Sequence, residues 1–152
     1  MEAHTETFSA EHTKKLAASL IKEWMKPPFS KRALVIGFEG ELGSGKTTFI
    51  QGAIHALGVK NKVTSPTFVL MKRYKTPGGR NLYHIDCYRL STQKDLLSLG
   101  WRELIQNPEN TVFVEWADRV KKILPPTAIV VRFQTPFPQK RSIEITIPKL
   151  GN

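Results

Sequence analysis

A glycine-rich run, Gly40 to Thr47, has the sequence GELGSGKT and matches the pattern G-x-x-x-x-G-K-[ST] at every fixed position. In such loops, backbone N–H groups and the start of the following helix bind phosphate oxygens, the lysine reaches the β and γ phosphates, and the hydroxyl ligates Mg²⁺. The run therefore predicts a site for nucleotide phosphates and Mg²⁺. The predicted contacts are Gly43, Ser44, Gly45, Lys46, Thr47 and Thr48.

Two acidic residues each end an apolar run typical of a buried strand: Glu115 follows VFV, and Asp86 follows LYHI. Mg²⁺ in such sites takes one or two protein oxygens besides phosphate and water, so an acid at a strand end is expected. We assign Glu115 to the metal together with Thr47. Asp86 is then left to orient or deprotonate an attacking water, or to contact the metal's ligands. Ordinary strand-end or capping acids remain the alternative for both.

The segment Thr64 to Thr67, with the sequence TSPT, follows the glycine-rich run and its helix. Loops at this place in nucleotide hydrolases sense the γ-phosphate through a hydroxyl, and Thr67 is the candidate. The alternative is a rigid turn whose hydroxyls cap the next strand. His84 precedes Asp86 by two residues and so shares its face of the strand. For His84, a core or supporting position is favoured over a metal ligand.

Three further side chains have weaker signals. Arg89 and Arg102 are candidates for stabilising transition-state charge, but a surface position is the favoured interpretation. Trp116 follows Glu115 directly and could stack on a base or a partner, whereas aromatic core packing is at least as well supported. None of the three is assigned a role from the sequence.

The elements that must position these residues follow from hydrophobic spacing. An amphipathic helix is predicted from Ser9 to Met25, with Ser9 as its N-cap. A buried strand from Ala33 to Phe38 leads into the glycine-rich run. A second helix, Thr47 to Leu57, leaves the run and stops at Gly58. Strand, loop and helix are therefore contiguous, as phosphate binding requires.

The later elements are shorter, and most are strands. A hairpin around Pro77-Gly78-Gly79 and a terminal antiparallel pair joined by a Pro136-rich turn are predicted. The predicted strands are Phe68 to Tyr74, Asn81 to Ile85, Thr111 to Val114, Ala128 to Phe133 and Ser142 to Ile147, with helices at Lys94 to Leu99 and Trp101 to Ile105. Alternating strands and helices predict one three-layer α/β P-loop NTPase domain over residues 1–152, with a mostly parallel sheet and antiparallel additions.

Composition narrows the class of protein further. The 152 residues are 40% hydrophobic and 24% charged, as in soluble globular proteins, and no apolar run approaches membrane-spanning length. The N-terminus lacks the pattern of a secretory signal, so a cytoplasmic location is expected. The single cysteine, Cys87, is interpreted as a small buried hydrophobe. The formal charge of +10 favours nucleotide, RNA or an acidic protein as partner, without choosing among them.

Four segments in order, GELGSGKTTF, VTSPTF, YHIDCYRL and VFVEW, resemble the TsaE (YjeE) family of tRNA threonylcarbamoyladenosine biosynthesis proteins, over about residues 8–147. The resemblance implies an ATPase that uses Mg²⁺ and works with two partner proteins, TsaB and TsaD. The implied ATPase supports formation of N6-threonylcarbamoyladenosine at position 37 of tRNAs that read ANN codons. It contacts tRNA only through its complex with TsaB and TsaD. The family protein does not itself transfer the threonylcarbamoyl group.

The resemblance also implies roles for individual residues. It places ATP phosphates on Gly43 to Thr48 and Mg²⁺ on Thr47 and Glu115, and it makes Asp86 necessary for hydrolysis; these agree with the assignments from the residues themselves. It further implies that the segment from Phe8 to Ala10 lies near the adenine, and that Arg141 approaches the nucleotide.

Two other functions fit parts of the sequence. A nucleotide or small-molecule kinase would need an acceptor pocket and usually an arginine-rich lid late in the chain, and the short stretch after Glu115 contains no such lid. An ATP-sensing module could instead use the positive charge to hold RNA, with hydrolysis incidental. Phosphate release without an acceptor separates the ATPase from the kinase.

Overall fold

A computed structural model describes residues 1–27, 30–66 and 70–149 of the chain. Its strands are β1 (Glu2–Thr7), β2 (Leu34–Glu39), β3 (Met71–Lys75), β4 (Asn81–Asp86), β5 (Asn110–Glu115), β6 (Ile129–Phe137) and β7 (Lys140–Thr146). Its helices are α1 (Ala10–Trp24), α2 (Lys46–Ala56), α3 (Gln93–Leu97) and α4 (Trp101–Gln106), with a 3₁₀ segment at Ala117–Ile123. Within these ranges, the helices are all too short or too polar to cross a membrane.

The seven strands form one mixed sheet in the order β1-β7-β6-β2-β5-β4-β3. The neighbouring strands β6, β2, β5 and β4 are parallel, whereas β3, β7 and β1 run antiparallel to their neighbours. The predicted parallel centre with antiparallel additions is confirmed, but the additions are larger than predicted because β1 was missed. The sequence of β1 is EAHTET and only Thr7 is buried, so it has no apolar alternation to reveal it.

Helices cover both faces of the sheet, which gives the predicted three layers. Successive strand residues point to opposite faces, so Ile36 and Phe38 of β2 pack in one core and Val35 packs in the other. The first core contains α1 and α2; the second contains α3, α4 and the 3₁₀ segment. Ser9 caps α1 as predicted, its hydroxyl accepting a hydrogen bond from the His12 N–H at 2.9 Å.

The turn between the last two strands differs from the prediction. β6 continues through Pro136, and the turn falls at Pro138 and Gln139. The pairing register with β7 shifts between Gln134 and Phe137. Proline lacks the N–H that a regular ladder needs, so it is tolerated where the ladder is irregular. Pro136 therefore marks a break in strand pairing rather than the chain reversal.

α1 and α2 pack against each other most closely at Gly52. A Cβ atom at Gly52 would lie 2.6 Å from the Cα atom of Lys14 and 2.7 Å from its carbonyl oxygen. Both are backbone atoms, so α1 itself would have to move to accept a side chain. Because α2 begins at the glycine-rich loop, this close approach fixes the direction in which the loop's helix points.

Gly52→Ala should lower the free energy of unfolding by about 1 kcal/mol or more, because overpacking against backbone outweighs the higher helix propensity of alanine. Urea denaturation measures the change. Gly78→Ala is the matched control, since the atom nearest to its added Cβ would be Thr76 Oγ1 at 3.9 Å. The control should stay within about 0.5 kcal/mol of the original chain. Equal stabilities of the two variants would contradict the packing argument.

Candidate nucleotide-binding site

A cavity of about 520 Å³ lies where β2, β4 and β5 end, at the carboxyl edge of the parallel strands. Ligands of parallel sheets bind at this edge. The sequence-predicted site residues that line the cavity are Phe8, Ala10, Gly43, Ser44, Gly45, Lys46, Thr47, Thr48, Asp86, Glu115 and Arg141. Thr67 lies outside the described residues.

The glycine-rich loop joins β2 directly to α2, and its backbone is open toward the cavity. The N-cap of α2 is Gly45, with φ 110° and no side-chain hydrogen bond to the first helical N–H groups. Ser44 Oγ is buried and has no hydrogen-bond partner among the described residues. Uncapped N–H groups, a free hydroxyl and the positive end of a helix dipole suit an anion such as phosphate.

Lys46 directs its ammonium back to the loop. Its Nζ atom donates hydrogen bonds to the carbonyl oxygens of Gly40 and Glu41, the latter at 2.9 Å, and lies 4.1 Å from the ring centre of Trp116. Burial lowers the pKa of Lys46, and the negative charge of Glu115 opposes this shift. The side chain is thus a buried cation whose partners are dipoles and a ring rather than a paired carboxylate.

Glu115 is held at both of its carboxylate oxygens. Thr47 Oγ1 donates to Oε1 at 2.8 Å, and His84 Nε2 lies 2.6 Å from Oε2. Thr47 and Glu115 therefore place a hydroxyl oxygen and a carboxylate oxygen side by side next to the glycine-rich loop. The described residues contain no cluster of three or more His, Cys, Asp or Glu that could hold a metal. This pair fits a Mg²⁺ ion that takes its remaining ligands from phosphate and water.

Asp86 lies beside Glu115 because the two residues are register partners in the parallel pair β4 and β5. Its Oδ2 accepts a hydrogen bond from Ser65 Oγ at 2.8 Å, and its Oδ1 accepts one from the Tyr88 N–H at 2.9 Å. The carboxylate is buried yet faces the cavity. A hydroxyl and a backbone N–H therefore fix the orientation of this carboxylate at the cavity wall.

The far end of the cavity is made by the first and last parts of the chain. Phe8 is 58% exposed and lines the cavity with Ala10. Arg141 donates to the carbonyl oxygens of Gly43 at 3.2 Å and Pro138 at 3.0 Å. This end offers an exposed aromatic ring and a guanidinium, which suit a base or sugar.

The cavity is also lined by three residues to which the sequence assigned no role, Ser65, Tyr88 and Trp116. Ser65 Oγ, from the loop in which Thr67 is the predicted residue, donates a hydrogen bond to Asp86. Tyr88 and Trp116 line the cavity and pack against each other, with ring centres 4.9 Å apart and ring planes at 45°. The motif TSPT indicated the loop that contains Ser65. No sequence pattern indicated that Tyr88 and Trp116 contact each other. Arg89 and Arg102 are exposed and lie outside the cavity wall.

The fold and cavity define a mixed α/β protein whose glycine-rich loop and two buried acids meet at the carboxyl edge of its parallel strands. The model of one family, described as threonylcarbamoyl adenosine biosynthesis protein TsaE, matches residues 7–143. The chain therefore belongs to the TsaE family, which is involved in the biosynthesis of threonylcarbamoyladenosine in tRNA. The resemblance inferred from the sequence is confirmed.

Relatives from several bacteria support the same family. The tRNA threonylcarbamoyladenosine biosynthesis protein TsaE of Bacillus subtilis is 34% identical over 146 residues, 96% of this chain and 85% of the relative. The TsaE protein of Rickettsia typhi is 33% identical over 140 residues, 91% and 92% of the two chains. The crystal structure of Bacillus subtilis YdiB superposes with a TM-score of 0.77 at 29% identity, covering 98% of this chain and 87% of YdiB.

The residue after Asp86, Cys87, should be inert to thiol reagents in the folded protein, because it points into the second core and burial raises its pKa to about 12. Ellman's reagent at pH 8 should react slowly with native protein and fully in urea. As the chain has one cysteine, the signal is unambiguous. Complete native reaction within minutes would contradict the burial of Cys87.

Proposed function

We propose that this chain is a Mg²⁺-dependent ATPase with a P-loop NTPase fold, required for formation of threonylcarbamoyladenosine at position 37 of tRNAs that read ANN codons. It acts with partners of the TsaB and TsaD type and meets tRNA through their complex. It does not itself transfer the threonylcarbamoyl group. The observation that carries the proposal is the convergence of Lys46, Thr47, Asp86 and Glu115 on one cavity.

The phosphate groups of ATP suit the loop and the start of α2. The uncapped N–H groups of α2 and the Ser44 hydroxyl supply donors, and Lys46 can exchange its carbonyl partners for phosphate oxygens. Thr47 and Glu115 would hold Mg²⁺ through Oγ1 and a carboxylate oxygen. When bound, the ion neutralises charge on the β and γ phosphates. The cavity of about 520 Å³ is within the range of small-molecule sites.

Asp86 is the proposed group that orients or deprotonates the attacking water. Its two oxygens are already fixed by Ser65 and by the Tyr88 N–H, so it needs little rearrangement to hold a water in line. A positioned general base typically contributes about 10²–10⁴-fold to a rate. With no second substrate required, water is the acceptor and inorganic phosphate is the product.

The architecture after Glu115 favours hydrolysis over the kinase alternative. Its described residues form the 3₁₀ segment and the hairpin of β6 and β7, both part of the packed body. In the described ranges, no arginine-rich insertion covers the cavity. The chief test is therefore phosphate release from ATP without any acceptor, which should rise when TsaB and TsaD type proteins are added. Transfer of phosphate to a small acceptor would support a kinase instead.

The link to tRNA modification has its own test. Depletion of this protein in its host should lower the threonylcarbamoyladenosine content of tRNAs that read ANN codons, measured by mass spectrometry of digested tRNA. Unchanged content would contradict the proposed role while leaving ATP hydrolysis open. Direct binding of tRNA by the isolated chain would favour the alternative of an ATP-sensing RNA-binding module.

Lys46→Ala should weaken ATP binding about 100-fold or more, because the only lysine of the loop is lost from a buried site where its charge is poorly screened. Isothermal titration calorimetry with ATP and Mg²⁺ measures the affinity. Lys60→Ala is the matched control: Lys60 is exposed and does not line the cavity, so its variant should bind as the original chain does. Unchanged affinity of Lys46→Ala for ATP would contradict the proposal that the glycine-rich loop binds the phosphates of ATP.

Asp86→Asn should bind ATP within about threefold of the original affinity and lose about 100-fold or more in hydrolysis, since the amide cannot accept the proton of water. Phosphate release measures turnover, and calorimetry measures binding. Asp95→Asn is the control, an exposed aspartate on α3 outside the cavity wall. Hydrolysis at the original rate by Asp86→Asn would rule out the proposed role.

A further inference from the structure

His84 contacts the carboxylate that we propose as a magnesium ligand. Its Nε2 atom lies 2.6 Å from Glu115 Oε2, and the two side chains are 0% and 3% exposed, so bulk water does not compete for the contact. The other oxygen, Oε1, accepts from Thr47 at 2.8 Å. One carboxylate is therefore bracketed by a ring from β4 and a hydroxyl from α2.

The contact indicates which ring nitrogen of His84 carries hydrogen. An ionised carboxylate only accepts hydrogen bonds, so Nε2 must be the donor to Glu115. Nδ1 is buried and has no partner among the described residues. A hydrogen on Nδ1 would be buried without an acceptor, which costs free energy. The arrangement therefore favours a ring with its hydrogen on Nε2, directed at Glu115.

Packing alone does not explain a histidine at this place. Leu82, two residues earlier on the same face of β4, and Phe113, the register partner of His84 in β5, are apolar and fully buried. An apolar side chain would fill such a position without polar atoms to satisfy. Glu115 is the one hydrogen-bond partner of the His84 imidazole in the described part of the chain. The hydrogen bond to the Glu115 carboxylate therefore explains why a histidine occupies this buried position.

We infer that His84 is a positioning residue for Mg²⁺: it holds Oε2 of Glu115 so that Oε1 faces Thr47, the other proposed ligand. This rests on the proposed function. Groups that hydrogen-bond a metal ligand fix its orientation, and their loss typically lowers metal affinity about 10–100-fold. His84 acts only through Glu115 and touches neither phosphate nor metal.

The variants His84→Phe and His84→Gln separate shape from hydrogen bonding. Phenylalanine keeps a planar ring of similar size and removes the donor, whereas glutamine can place an amide N–H near the position of Nε2. The measured quantity is the magnesium enhancement, defined as the Kd of a non-hydrolysable ATP analogue in EDTA divided by its Kd in excess Mg²⁺. Calorimetry gives both values without relying on turnover.

His84→Phe should lower the magnesium enhancement about 10-fold or more while its Kd in EDTA stays within about threefold of the original value. His84→Gln should keep most of the enhancement. Circular dichroism checks folding, and where His84→Phe does not fold, His84→Asn takes its place with the same expectation, because its amide is too short to reach Oε2.

An unchanged enhancement in His84→Phe would overturn the inference. Equal losses in the phenylalanine and glutamine variants would also overturn it, because they would mark the effect as one of packing. If the original chain binds the analogue with no magnesium enhancement at all, the proposed metal site fails together with this inference. That last result is visible before any variant is made, so it is distinct from a failure of His84 alone.

Discussion

Four phenylalanines beneath the glycine-rich loop hold together the elements that carry the proposed site. Phe38 of β2 packs on Phe49 of α2, Phe113 of β5 and Phe133 of β6, with ring centres 5.4, 6.3 and 6.5 Å apart. All four are buried, and Phe49 also meets Phe133 edge to face. This cluster joins the strand that enters the loop to the helix that leaves it. The loop backbone is therefore anchored at both ends by one apolar contact set.

The strand register that this packing fixes also determines which charged side chains lie together at the carboxyl edge of the parallel strands. Asp86 and Glu115 are register partners, and a slip of one residue would turn the side chains of one strand to the opposite face. Together with Lys46 they are three buried charges, which would be costly without partners. Each is satisfied locally by carbonyls, hydroxyls, an imidazole or a backbone N–H. Binding of phosphate would exchange partners of Lys46 rather than strip water from it.

The sequence predicted the parallel centre and the strand, loop and helix of the glycine-rich run because both follow from the order and spacing of the elements. The loop follows one strand and precedes one helix, and the acids end apolar runs, so spacing alone places them. It could not predict contacts that depend on pairing between distant segments. The contact of Ser65 with Asp86 and the contact of His84 with Glu115 depend on how β4 lies beside its neighbours. Polar β1 was missed because an edge strand exposed to solvent needs no apolar alternation.

The far end of the cavity, where we propose that the base of the nucleotide binds, depends on the antiparallel edge formed by β1 and β7. β1 pairs with β7 so that Thr7 lies opposite Arg141, and the Thr7 hydroxyl is bonded to Thr13 of α1 at 2.7 Å. Phe8 follows at once, while Arg141 reaches the carbonyl of Gly43. A short polar strand thus places an aromatic ring and a guanidinium at this end of the cavity. Under the proposed function, the parallel centre supplies the contacts to phosphate, and this antiparallel edge supplies those to the rest of the nucleotide.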